Sequence, residues 1–146
     1  MQNVIKREIF IEAAKERIYA AIANSDQVVQ WFPETIEGSY SVGKQPVFDF
    51  GAHGRSQVYI VDARPCEYFA YRWVPGANHF LGDVLSVPNT LVEFHIEEQG
   101  EGICKVTLTE SGFAQLSKEV MEESFKQNSG GWDFMLDRLA NYFDAA

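Results

Sequence analysis

The sequence predicts an α+β fold, one antiparallel sheet with its helices gathered on one face, and three observations predict it. Residues 45–113 form a run of short alternating segments separated by Gly- and Pro-bearing turns. A β-branched segment and two short helical stretches precede that run. After it, the chain changes to a helical period. Trp132, Met135, Leu136, Leu139, Tyr142 and Phe143 fall on one face of a 3.6-residue helix, with Asp133, Asp137, Arg138, Asn141 and Asp144 opposite. A helix with one wide apolar stripe must lie on something, and the sheet is the available partner.

The elements follow in order. "NVIKREIFIEA" reads as the first strand, with Val4 and Ile9 to Ile11 supplying β-branched bulk. "AAKERIYAAIAN" turns helical, placing Ile18 and Ile22 one turn apart on one face. Asn24 or Ser25 caps a second short helix, "DQVVQWF", which Pro33 ends. "QPVFDF", "SQVYIVDA", "EYFAYRWV", "NTLVEFHIEE" and "ICKVTLTESGF" then read as an antiparallel meander. The longest connection runs from Pro75 to Pro88 and is a candidate lid. "SKEVMEESFKQNSGGWDFMLDRLANYFDAA" reads as two helical stretches or as one long helix broken near Gly130, because paired glycines weaken a helix. No repeat, low-complexity stretch or linker interrupts the chain, so 1–146 reads as a single domain.

Composition narrows the function classes. Hydrophobic residues make up 46% and charged residues 23% of the 146, the balance of a globular chain. Eleven Phe, six Tyr and three Trp are enough to line a large interior. Twelve Lys and Arg against 21 Asp and Glu leave a net charge of −9 with no basic run, which argues against nucleic acid and anionic membranes as partners. The N-terminus lacks a basic segment followed by an apolar stretch, and no apolar run approaches the ~18 residues of a membrane span. A cytoplasmic protein is expected. Cys66 and Cys104 lie far apart outside any CxxC spacing and read as two reduced thiols in strands.

Four stretches, in this order, carry a resemblance: "IEAAKERIYAAIANSDQVVQWF", "DARPCEYFAYRW", "TLVEFHIEEQGEGICKVTLTESGF" and "GGWDFMLDRLANYF". Together they resemble the Hsp90-ATPase-activator-homologue family of the START-like (SRPBCC) helix-grip superfamily, over residues 5 to about 143. The resemblance implies a curved antiparallel sheet of about six or seven strands wrapped around a long C-terminal helix, with two short helices after strand 1. It also implies an elongated cavity between sheet and helix. On that reading Trp132 anchors the helix on the sheet, and Gly130 and Gly131 allow close approach or a bend there. The sequence departs from the family pattern at Ala14, where a proline usually precedes the first helix.

Motifs of catalysis are scarce. His53, His79 and His95 are widely spaced and form no metal-ligand pattern, so no metal or cofactor is expected. "ESGF" around Ser111 is no nucleophile elbow, and "GEG" at 100–102 is a turn. What remains is aromatic. Phe69, Tyr71 and Trp73 share one strand face, in phase with Val92, Phe94 and Ile96 on the next and Cys104, Val106 and Leu108 on the last. These residues are core first. The functional reading makes Phe69, Tyr71, Trp73, Phe94, Trp132 and Met135 the lining of a ligand cavity, with Trp31 and Phe32 near its mouth. The expected function is binding of a hydrophobic small molecule by a monomer or weak homodimer. The alternatives are a polyketide cyclase/dehydratase-like enzyme or a chaperone-associated interaction domain. An enzyme would need an acid or base inside. Glu110, in phase with Val106 and Leu108, is the one acid that alternation directs inward, unless its place near the strand end leaves it solvated.

Overall fold

The computed structural model describes residues 3–75 and 80–144. Strand β1 (Val4–Ile11) is followed by helices α1 (Lys15–Ala23) and α2 (Ser25–Val28). Six strands come next: β2 (Thr35–Glu37), β3 (Val47–Asp49), β4 (Arg55–Arg64), β5 (Tyr68–Trp73), β6 (Thr90–Gly100) and β7 (Ile103–Ser111). Helix α3 (Lys118–Asp144) closes the chain. The strands form one antiparallel sheet in the order β1-β7-β6-β5-β4-β3-β2, so β2 to β7 run as a meander and β1 adds to its far edge. The expected strands are present. The three-residue β2 is one that the alternation did not reveal, being too short to carry a pattern.

Local chemistry accounts for the joints. Ala14 starts α1 with φ −68°, the angle a proline would impose, so the helix begins there without one. Asn24 caps α2, its Oδ1 accepting from the Asp26 amide at 2.8 Å. Glu101 and Gly102 form the two-residue β6–β7 hairpin, with Gly102 at φ +75°. Register shifts between Ile60 and Asp62 and between Glu98 and Gly100 mark bulges, which bend their strands and increase local twist. Cys66 does not lie in a strand as expected. It occupies the β4–β5 turn at φ +69°, a conformation the sequence does not announce for a cysteine. Both cysteines are free thiols.

Helix α3 is continuous for 27 residues and does not break at Gly130. The glycines do not mark a close approach either. A Cβ at Gly130 or Gly131 would meet no atom within 4 Å, because both positions are exposed. Packing on either side holds the helix through them, and it offsets the ~1 kcal/mol per glycine that helix propensity costs. The inward stripe reads as expected. Trp132, Leu136 and Leu139 are buried, and Met135, Tyr142 and Phe143 pack against the same core, which joins all the main elements. No helix among the described residues is long and apolar enough to cross a membrane.

Candidate functional site

Strand alternation and register assemble the site. On β5, Phe69, Tyr71 and Trp73 face inward, paired across to Phe94, Val92 and Thr90 of β6. Val92 in turn pairs with Glu110 of β7, so Glu110 stands on the same inner face as the aromatic rows. The strand end does not solvate it. Glu110 is 0% exposed beneath α3.

Burying a carboxylate is costly unless hydrogen bonds replace its water. Four side chains supply them. The Trp73 indole N–H donates to Oε2 at 2.8 Å, and the Thr90 hydroxyl donates to the same oxygen at 2.6 Å. The Trp132 indole N–H donates to Oε1 at 2.8 Å. The Asn128 amide Nδ2 lies 3.0 Å from both oxygens. An ionised carboxylate only accepts and has about four lone-pair sites, which this ring of donors fills. No cation among the described residues takes part. The network joins two strands, the end of a third and one face of α3, where Asn128 and Trp132 stand one turn apart.

Beside this network lies a recess of about 120 Å³. Phe32, Phe50 and Trp73 wall it from the sheet side, and α3 contributes Asn128, Gly131, Trp132 and Met135. Its walls are aromatic and tightly set. Phe32 stacks on Trp132 with ring centroids 5.4 Å apart, and Trp73 lies 5.8 Å from Trp132. Trp73 and Trp132 therefore have two roles each, as recess wall and as Glu110 donor. Asn128 shares both roles.

Of the residues the sequence singles out, Phe32, Trp73, Trp132 and Met135 meet at this recess. Trp31, Phe69, Tyr71 and Phe94 lie behind it in close-packed core. Trp31 donates its indole N–H to the Ala21 carbonyl at 2.8 Å, which ties the α2 end to α1. Tyr71 is ringed by Phe48, Phe69, Trp73 and Phe94, and its hydroxyl has no hydrogen-bond partner among the described residues. Burial holds that hydroxyl well above the usual tyrosine range. Phe50, Thr90 and Asn128 did not emerge from the sequence. Thr90 is in phase with Val92 and Phe94, and Asn128 extends the Trp132 stripe back one turn, so periodicity could have found both.

The Pro75–Pro88 connection falls partly outside the described residues, including His79. Its described part turns through a 3₁₀ segment at Val84–Ser86 and docks on the β3–β4 side. There the Phe80 carbonyl accepts from the Gln57 amide at 2.9 Å, and the Gln45 side chain accepts from the Val84 amide at 2.9 Å. None of these loop residues lines the recess. No group of three or more metal-ligating side chains occurs among the described residues.

Solved structures share this architecture at low sequence identity. DynU16, a protein of the dynemicin biosynthetic locus, superposes with a TM-score of 0.77 at 21% identity, covering 99% of this chain and 48% of its own. This chain thus spans about half of DynU16. Protein MLL2253 from Mesorhizobium loti gives 0.79 at 16% identity, with 98% of each chain covered. The Aha1 dimer from Colwellia psychrerythraea gives 0.74 at 22% identity, covering 97% of this chain and 96% of that one. The fold is the helix-grip fold. No curated protein matches by sequence. Residues 12–144 match the family described as "Activator of Hsp90 ATPase homolog 1-like protein", and with nearly its whole length inside that match, the chain belongs to this family.

Proposed function

We propose that this protein is a binding module for a small apolar or aromatic group, held in the recess between α3 and the sheet. The observation that carries the reading is the recess itself: about 120 Å³ walled by Phe32, Phe50, Trp73, Trp132 and Met135. Drug-sized ligands need about 300–1,000 Å³, whereas a void of about 150 Å³ takes a benzene ring. The size therefore favours one ring, or one end of a longer molecule, over a whole polycyclic substrate. The association of a fold neighbour with a natural-product locus accords with a ligand of this type.

The catalytic alternative rests on Glu110, and its surroundings weigh against it. A carboxylate already accepting from Trp73, Thr90, Asn128 and Trp132 has little capacity left to take a substrate proton. Gly131 gives the test. A Cβ there meets no atom within 4 Å, so Gly131→Leu gains helix propensity, and because Gly131 lines the recess the longer side chain fills its rim. An environment-sensitive apolar dye titrated against both proteins should bind the parent and lose most of its affinity for the variant, at an unchanged or higher denaturation midpoint. Equal dye binding to both would remove the recess as the site.

A further inference from the structure

We infer that the recess selects a ring bearing a hydrogen-bond donor, and that Glu110 sets this preference by fixing the Asn128 amide. The inference rests on the binding reading above and adds the chemistry of the ligand. Among the residues that wall the recess, Phe32, Phe50 and Met135 offer no donor or acceptor of use to a ligand in water. The indole N–H groups of Trp73 and Trp132 are committed to Glu110. Asn128 is the remaining polar group. Its Nδ2 is drawn to both Glu110 oxygens at 3.0 Å, and a carboxylate accepting from two indoles will not face the amide oxygen. The amide orientation is thus fixed by the donors already on those oxygens. Asn128 Oδ1 is left as the free end, with no partner among the described residues, on a side chain that lines the recess.

Where that carbonyl oxygen meets the recess it accepts and cannot donate. It favours a phenol or an aromatic amine and gives nothing to a nitrile, an ether or a ketone. Leaving a ligand acceptor opposite that oxygen strips water from both without replacing it, the asymmetry that makes buried polar groups discriminating. Glu110 acts here as a positioning residue. It touches no ligand and orients the atom that does.

Phenol and benzonitrile make the test, being single rings of similar size and hydrophobicity, one with a donor and one with an acceptor only. Titrations followed through the indole N–H resonances of Trp73 and Trp132 should show phenol binding roughly fivefold tighter, as one added hydrogen bond implies. In Glu110→Gln, the new amide donates to Asn128 Oδ1 and turns Nδ2 outward, so the preference should fall to parity or invert towards benzonitrile. A residue of purely structural importance would weaken both ligands together. Equal affinities in the wild-type protein overturn the inference and leave the binding reading intact. Saturable binding of neither ring removes the binding reading, and this inference with it. The wild-type ratio needs no variant, so the outcome does not depend on Glu110→Gln folding.

Discussion

Glu93 and Glu110 stand on neighbouring strands of one sheet, each within a small polar network, and the networks differ in every physical respect. Glu110 faces inward, is fully buried and accepts from two indoles, a hydroxyl and an amide. Glu93 faces outward with its side chain 25% exposed. It accepts from the Tyr68 hydroxyl at 2.6 Å, with Thr109 Oγ1 at 3.4 Å and His95 Nε2 at 3.9 Å around it. Burial, reinforced by the bond to Glu93, raises the Tyr68 hydroxyl above the usual tyrosine range. It therefore remains a donor at any ordinary pH. Water can replace the partners of Glu93, and nothing can replace those of Glu110. The same residue type is thus a surface feature on one face of the sheet and an organising centre on the other.

The largest expected effect removes a donor and its packing together. Trp132 is 2% exposed and touches Phe32, Trp73 and Phe94 while bonding Glu110. Trp132→Ala should cost roughly 3–5 kcal/mol by chemical denaturation, as for buried aromatic truncations elsewhere. A loss under about 1 kcal/mol would mean that the inner network is no more organising than the outer one.

Glu110→Leu comes next. The substitution keeps bulk and removes the shared acceptor, leaving the buried Trp132 N–H and Thr90 hydroxyl without a partner. Each orphaned group costs about 1–3 kcal/mol, so a loss of about 3 kcal/mol is expected. Adding Trp132→Phe to that background deletes one orphan and should restore part of the loss, a non-additivity that a double-mutant cycle reads directly. Strict additivity would show that Glu110 and Trp132 do not act as one unit.

The same contrast shows what the sequence could say. Period-two alternation directs Glu110 inward with Val106 and Leu108, and that placement holds; Glu93, between the inward Val92 and Phe94, faces outward by the same alternation. The α3 stripe was as legible, because six apolar residues recur at helical spacing. Closure of the space between sheet and helix was not legible. Whether Tyr71 and Phe94 border a void or fill one depends on sheet curvature and rotamers, which periodicity does not encode. The glycines misled for a related reason. A helix tolerates Gly130 and Gly131 when its ends are packed, and whether a glycine faces a neighbour or open space is a tertiary fact. Asn128 is not legible because one amide in a polar stretch, "KQNSGG", looks like solvent-facing helix until its carboxylate is known.

The smallest expected effect falls on the outer carboxylate, and it is the sharper check because it forbids a result. Glu93→Gln keeps the shape of the side chain and an oxygen for the Tyr68 hydroxyl, removing charge alone. The side chain is partly open to water, and the His95 contact is long at 3.9 Å, beyond direct hydrogen bonding. Ion pairs this loose and this wet contribute little, so the denaturation midpoint should move by no more than about 0.5 kcal/mol equivalent. Salt should then alter the parent and the variant alike, since little screened attraction is lost. A loss approaching that of Glu110→Leu would mean that the Tyr68–Glu93 pair clamps β5 to β6 through its charge. The outer face would then hold a second organising centre, and the two faces of the sheet would no longer differ in kind.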